Sequence, residues 1–143
     1  MFRLLMIAAA LLLGASEAFA HGSESAAPPP AKKGPQSAPA QVVTTERGTM
    51  LVDGKGMTLY YFDEDKSGNK SNCNGKCNER WVPYTAPADA QAIGDFTVIT
   101  RTDGSRMWAY RYRPLYTSPA DKAPGDANGN ATTLQWRIAR PGE

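Results

Sequence analysis

Residues 96–112 read FTVITRTDGSRMWAYRY, and they carry the clearest local signal for the fold. Two runs rich in β-branched and aromatic residues, 96–100 and 107–112, flank the dipeptide Asp103-Gly104. An Asp-Gly pair between two such runs is typical of a tight β-hairpin, because both residues tolerate the left-handed backbone that the turn requires. The stretch therefore predicts two antiparallel strands joined by this turn.

The same pattern extends towards both ends of the chain. A second Asp-Gly pair at 53–54 separates residues 49–52 from the run MTLYYF at 57–62, and residues 132–138 are a candidate last strand. Stretches with helical periodicity are short, and only residues 73–81 are candidates for a helix. The predicted fold class is mainly β: a small antiparallel β domain with short helical connections.

The chain also resembles itself at an offset of 56 residues. The matching pairs are Leu59 with Leu115, Tyr60 with Tyr116, Asp65 with Asp121, Asn72 with Asn128 and Asn74 with Asn130. Trp81 and Trp136 follow the two copies in slightly different register. We therefore expect two related strand-loop repeats, about 48–83 and 96–141, that share one core.

The N-terminus has the features of a secretory signal peptide. Arg3 precedes an apolar run at 4–13, which is shorter than the roughly 20 residues of a membrane span. The small-x-small sequence Ala-Phe-Ala at 18–20 is the pattern at which a signal peptidase cleaves. We expect a signal peptide at 1–20, no membrane anchor after cleavage, and a periplasmic or secreted protein.

Composition divides the remaining chain into two parts. Residues 21–41 are rich in Ala, Pro and Ser and lack large apolar side chains, which predicts a disordered linker. Residues 42–143 hold the aromatic and β-branched residues of the predicted folded domain. The formal net charge of +2 and the scattered basic residues do not favour a nucleic acid as partner.

Cys73 and Cys77 are the two cysteines, in a C-x-x-x-C arrangement. Haem attachment and thioredoxin-like chemistry use C-x-x-C, and a structural zinc site needs four ligands. In an exported protein the expected state is a disulfide, which we interpret as structural.

Several motifs resemble a known family, the bacterial secreted-repeat proteins described as predicted lipoproteins with a Y-x-(F/W/Y)-x-x-D motif. The first copy of the motif consists of Tyr60, Phe62 and Asp65, and the second of Tyr116 and Asp121. Two departures occur: Ser118 stands where the second motif has an aromatic residue, and the lipid-anchoring cysteine is missing. The resemblance implies an exported protein of unestablished biochemical role and supplies no catalytic residues.

Two polar loops are candidate calcium sites. The candidate ligands are Asp63, Asp65, Ser67 and Asn69 in the first loop, and Asp126 and Asn128 in the second. The first loop resembles the start of a calcium-binding loop, but Asn74 occupies the position of the bidentate Glu. The competing interpretation is that short polar side chains shape these turns by bonding to the backbone. Copper at His21, the expected first residue after cleavage, is the alternative metal site.

Aromatic and acidic residues give two further hypotheses. Alternation along residues 107–112 would place Trp108, Tyr110 and Tyr112 on one face, where they either stack on a sugar ring or fill the core. Asp65 and Asp121 could act as an acid–base pair, but each is more simply explained as an acceptor of hydrogen bonds from its own loop. The sequence has no other catalytic constellation, so we do not expect an enzyme.

These observations predict an exported, non-catalytic binding or accessory module without a cofactor. The expected partner is a cell-envelope glycan or protein. The alternative is a metal-binding protein, with calcium at the Asp/Asn loops or copper at His21.

Overall fold

The computed structural model describes residues 36–65, 68–131 and 134–143. The strands are β1 Gln41–Thr45, β2 Gly48–Val52, β3 Tyr60–Phe62, β4 Val82–Pro83, β5 Phe96–Thr100, β6 Arg106–Tyr110, β7 Arg113–Pro114, β8 Tyr116–Thr117 and β9 Trp136–Ile138. Short 3-10 helices lie at Asp63–Asp65, Gly75–Glu79 and Asn128–Ala131. The described ranges contain no α-helix, and the prediction of a mainly antiparallel β fold with short helical connections is confirmed.

Within the same ranges, no helix has the length and apolarity needed to cross a membrane. The signal peptide predicted at 1–20 and most of the predicted linker lie outside the described residues.

The hairpin predicted at 96–112 forms from β5 and β6, in register from Phe96 opposite Tyr110 to Thr100 opposite Arg106. The second strand ends two residues earlier than the sequence pattern suggested. Arg111 and Tyr112 have positive φ angles of 47° and 65°, so the backbone turns there and continues into β7. Tyr112 is therefore a turn residue, and it is not part of the strand.

The expected pairing of residues 49–52 with 57–62 is reduced to one bridge between Val52 and Thr58. Strand β2 pairs along its whole length with β1, which begins at Gln41, the last residue of the predicted linker. The Asp53 carboxylate accepts hydrogen bonds from the backbone N–H groups of Lys55 and Met57 and shapes the turn. Beyond that turn the chain leaves β2 and enters a different sheet as β3.

The central sheet has the strand order β4-β8-β3-β9 and joins the two repeats. Its middle strands are equivalent to each other, and Tyr60 of β3 lies opposite Tyr116 of β8. Strand β9 belongs to the second repeat but pairs with β3 of the first. Strand β4 belongs to the first repeat but pairs with β8 of the second. Each repeat thus completes its sheet with a strand from the other repeat.

Backbone hydrogen bonds repeat this exchange on both sides. In one ring of three bonds, the Leu51 N–H donates to the Ala139 carbonyl, Ala139 to Leu59 and Leu59 to Leu51, over 2.8–3.0 Å. In the equivalent ring, Trp108 donates to Tyr84, Tyr84 to Leu115 and Leu115 to Trp108. Ala139 of the second repeat and Tyr84 of the first are therefore exchanged partners.

The buried side chains form two clusters, one on each side of this sheet. The first contains Tyr60, Trp81, Tyr116 and Trp136, and the second contains Leu59, Tyr61, Trp108 and Leu115. Because neighbouring residues of β3 enter different clusters, the sheet is buried on both faces at its centre. Both clusters contain residues of both repeats, whereas the offset of 56 residues predicted one shared core.

Candidate functional site

The two motif tyrosines donate hydrogen bonds across the boundary between the repeats. The Tyr60 hydroxyl donates to the Asp121 carboxylate over 2.7 Å, and the Tyr116 hydroxyl donates to the Asp65 carboxylate over 2.7 Å. All four residues are buried. The Y-x-x-x-x-D spacing therefore does not join residues of one copy, because each tyrosine bonds to the aspartate of the other copy.

Each motif aspartate also orders its own loop. The second carboxylate oxygen of Asp65 accepts a bond from the Asn72 N–H, and that of Asp121 accepts one from the Asn128 N–H, both over 2.7 Å. The side-chain amide of each Asn then donates to the carbonyl that precedes the Asp of its repeat. This geometry agrees with the interpretation that each Asp accepts hydrogen bonds from its own loop.

Burial favours the neutral form of both phenols. Desolvation raises the pKa of Tyr60 and of Tyr116 far above the ordinary value of a phenol, and the adjacent carboxylates raise it further. Desolvation also raises the pKa of Asp65, against the hydrogen bonds from Tyr116 and Asn72. Both phenols therefore keep their protons and donate to the carboxylates.

The two tryptophans that follow the repeats stack at the repeat junction. Their rings lie 3.7 Å apart between centroids and 8° from parallel. Tyr60 contacts Trp81 edge-on, and Tyr116 contacts Trp136 edge-on, with centroids 5.1 Å apart in each pair. Such stacked and edge-to-face contacts are favourable arrangements for aromatic rings. They give the junction a nearly symmetric aromatic centre.

One position breaks this symmetry. Phe62 stacks on Trp136 with centroids 4.5 Å apart, whereas the equivalent position in the second repeat is Ser118. A serine has no ring to stack on Trp81, although both tryptophans are buried to the same extent, with 5% of each residue exposed. A groove of about 790 Å³ lies here, lined by Phe62, Trp81, Trp136, Ser118, Cys77 and polar neighbours. The sequence signal for this groove was the departure from the motif at Ser118.

Of the residues proposed for the first calcium loop, the three that the structure describes each contact different partners. Asp63 accepts hydrogen bonds from the Nε of Arg137 over 2.9 and 3.1 Å and lies 3.6 Å from Arg113. Asp65 is buried with Tyr116 and Asn72 as its donors. Asn69 has a φ of 57°, and its N–H donates to the Tyr112 carbonyl. Ser67 lies outside the described residues.

In the second loop the short polar side chains bond to backbone groups of the turn, which is the competing interpretation given above for these residues. The Asp126 carboxylate accepts bonds from the N–H groups of Lys122 and Ala123, and Asn128 bonds to Asp121 and Ala120. Within the described ranges, no cluster of His, Cys, Asp or Glu side chains is arranged to hold a metal ion. His21, the predicted copper ligand, lies outside those ranges.

The three aromatic residues proposed for ligand stacking do not share a surface. Trp108 and Tyr110 are buried in the second core cluster. Tyr112 is 59% exposed, because the turn at Arg111 and Tyr112 directs it away from that strand. The proposed aromatic row along β6 is therefore corrected to two core residues and one isolated surface ring.

The disulfide between Cys73 and Cys77 is present, with the two Cα atoms 5.2 Å apart. It closes residues 73–77, which include the start of the 3-10 helix Gly75–Glu79, and Cys77 lines the groove. The guanidinium of buried Arg101 donates to the Cys73 carbonyl and to the side-chain oxygens of Asn74 and Asn78. These contacts hold the disulfide segment to Arg101, the residue that follows β5.

A family described as a secreted repeat of unknown function matches the chain twice, at residues 41–85 and 97–140. The two matches correspond to the repeats that the sequence offset and the paired hydrogen bonds define. No curated protein and no solved structure matches the chain. Since the two matches cover more than half of the sequence, the chain belongs to this family of secreted repeats and carries two copies of the repeat.

Proposed function

We propose that this protein is a non-catalytic binding module of the periplasm or cell exterior that holds a cell-envelope glycan in the groove between its repeats. The observation that carries the proposal is the replacement of the motif aromatic by Ser118 beside the Trp81–Trp136 stack. The fold does not require a small residue at position 118, because the equivalent position in the first repeat holds Phe62, whose ring stacks on Trp136.

The groove has the dimensions and lining of a ligand site. Its volume of about 790 Å³ falls within the roughly 300–1,000 Å³ range that is usual for small-molecule pockets. Phe62 is only partly buried and offers ring surface, while Trp81 and Trp136 line the groove with 5% of each residue exposed. Sugars present apolar C–H faces that pack well against aromatic side chains, and their hydroxyls need polar neighbours.

Polar groups stand at the rim of this aromatic wall. Lys76, Glu79, Arg80 and Gln135 line the same groove. They supply both donors and acceptors for hydroxyl and amide groups, and the two cations favour a ligand that also carries a carboxylate. Peptidoglycan fragments combine sugar rings, amides and carboxylates, and they occur in the compartment to which a secreted protein is exported.

The experiment fills the groove by placing at position 118 the aromatic residue that the first repeat has at position 62. In Ser118→Phe the new ring should pack beside Trp81 as Phe62 packs on Trp136. We expect the wild type to bind soluble disaccharide-peptide fragments with a change in Trp fluorescence. We expect Ser118→Phe to weaken that binding by at least about tenfold, which corresponds to roughly 1.4 kcal/mol.

Ser105→Phe is the matched control, because Ser105 is exposed in the β5–β6 turn, away from the groove. It should bind the fragments as the wild type does, and thermal unfolding should confirm that both variants are folded. Equal affinity in Ser118→Phe and wild type would exclude the groove as the site. Failure of the wild type to bind a panel of envelope glycans would refute the proposed ligand.

A further inference from the structure

A second cleft, of about 500 Å³, lies beside β9 and is lined by three arginines. They are Arg113 of β7, Arg137 of β9 and Arg140, which follows β9. Two carboxylates, those of Asp63 and Glu143, also line it. The cleft therefore brings three guanidinium groups together beside the side-chain carboxylates of Asp63 and Glu143.

Each guanidinium is held in place by the protein. Arg113 lies over the ring of Tyr61 at 3.8 Å from its centroid. Arg137 is bound through its Nε to both oxygens of Asp63. The two Nη atoms of Arg140 donate to the backbone carbonyls of Thr49 and Arg47, over 2.8 and 3.0 Å. A ligand would therefore meet side chains that have already lost most of their conformational freedom.

These contacts leave donors available on the arginines. In the part of the chain that the structure describes, Arg137 donates hydrogen bonds only through Nε, and Arg113 makes an ion pair at 3.6 Å and a ring contact but no hydrogen bond. A guanidinium carries five N–H donors in a planar fork that matches phosphate and carboxylate oxygens. The unused Nη groups of two arginines thus line one cleft.

The fold itself does not require this charge. Register and hydrogen bonds make Met57 equivalent to Arg113, Val82 to Arg137, Thr85 to Arg140 and Pro119 to Asp63. The corresponding surface of the other half is therefore uncharged at all four positions. Residues that recur in both halves are explained by the shared architecture, whereas this cluster occurs in one half alone.

We propose that the Arg113–Arg137–Arg140 cleft is an anion site for a tetrahedral oxyanion, a phosphate or sulfate group, free or as an ester. A tetrahedral anion presents oxygens in several directions and can accept from guanidinium groups on different sides. Arginine forms bidentate, charge-assisted bonds of this kind with phosphate. The site is separate from the glycan groove and does not depend on that proposal.

The test is calorimetric titration of the protein with inorganic phosphate, with sulfate and with chloride at one low ionic strength. The wild type should bind phosphate or sulfate saturably at one site and chloride without saturation. Arg137→Gln should weaken oxyanion binding at least about tenfold, as expected for a charged hydrogen bond. Because the Arg137 side chain is 65% exposed, this variant should remain folded. Arg113→Lys, which keeps the charge but loses the planar fork, should also weaken binding.

Lys122→Gln is the charge-matched control, since Lys122 is exposed and does not line the cleft. It should bind the oxyanion as the wild type does. Equal weakening in Lys122→Gln and Arg137→Gln would mean a diffuse attraction and would overturn the site. Absence of saturable binding to both oxyanions in the folded wild type would overturn it as well. Inorganic phosphate loses its second proton near neutral pH, whereas sulfate is already a dianion, so strengthening of phosphate binding alone across that range would support preference for a dianion.

Discussion

At the scale of single residues, the most consequential contacts are the two exchanged Tyr–Asp pairs. Each phenol donates a hydrogen bond to a buried carboxylate. Without the phenol, that carboxylate would lose one of its hydrogen-bond donors. A buried charged acceptor that loses a hydrogen bond costs more than an exposed one, because water cannot replace the donor. The recurring motif residues are therefore explained by the stability of the repeat junction.

We predict that Tyr60→Phe and Tyr116→Phe each lower the free energy of unfolding by about 1–3 kcal/mol. Tyr60→Phe also removes the acceptor of the Gly129 N–H, and Tyr116→Phe removes the partner of the Ser71 hydroxyl. Chemical denaturation measures both. The control is Tyr112→Phe at a turn with 59% exposure, which should change stability by less than about 0.5 kcal/mol. Losses in the core variants no larger than in this control would contradict the structural role of the pairs.

Asp65 and Asp126 should have different pKa values in an NMR pH titration of their carboxyl carbons. Burial raises the pKa of Asp65 above 3.8, whereas the backbone N–H groups of Lys122 and Ala123 lower that of Asp126 below 3.8. We predict that Asp65 titrates at the higher pH. Reversal of this order would mean that Asp65 is more hydrated than its burial indicates.

The two shifts act on stability in opposite directions. Asp65 binds its proton more tightly in the folded state, so its contribution to stability falls as pH rises from 3.8 through its folded pKa. Asp126 binds its proton less tightly when folded. Its contribution is complete above 3.8 and is lost as pH falls through its lowered pKa.

At the scale of secondary-structure elements, the exchange of β4 and β9 makes the repeats interdependent. Strand β3 of the first repeat has no partner within its own repeat in the central sheet, where it pairs with β8 and β9. Strand β8 likewise pairs with β4 and β3. A repeat by itself would leave these edges and half of the aromatic centre exposed to water.

We predict that residues 36–90 and 91–143, produced as separate chains, are each unfolded and fold together when mixed. The division lies outside every strand. Amide NMR spectra of the separate fragments should show narrow dispersion, and the mixture should recover the spectrum of the intact protein. A fragment that folds alone with native chemical shifts would show that the exchanged strands are dispensable. Equimolar mixing of one fragment with its own Tyr→Phe variant provides a control for non-specific association.

At the scale of the whole molecule, the two halves share an architecture but differ in surface chemistry. Phe62 and Ser118 occupy equivalent positions, and the difference produces the aromatic groove. Arg113 and Arg137 are equivalent to Met57 and Val82, and the difference produces the anion cleft. Internal symmetry thus separates the residues that the fold needs in both copies from those available for binding.

The amino-acid sequence alone determined the class of fold, the existence of two repeats, the β5–β6 hairpin and the disulfide. These features depend on local backbone preferences, on spacing within one copy, or on two cysteines four residues apart. Such interactions are close in sequence, so periodicity and turn residues are sufficient to predict them. The positions of the motif residues Tyr60, Asp65, Tyr116 and Asp121 were visible for the same reason.

Only the tertiary structure decided which copy supplies the partner of each motif residue. The offset of 56 residues shows which positions are equivalent. It is equally consistent with Tyr–Asp pairs within one repeat and with Tyr–Asp pairs exchanged between the repeats. The groove and the cleft also required the fold, because Ser118 lies next to Trp81, and Asp63 next to Arg137, across 37 and 74 residues of sequence. Long-range contacts of this kind follow from how the strands pack, and no local preference of the chain encodes them.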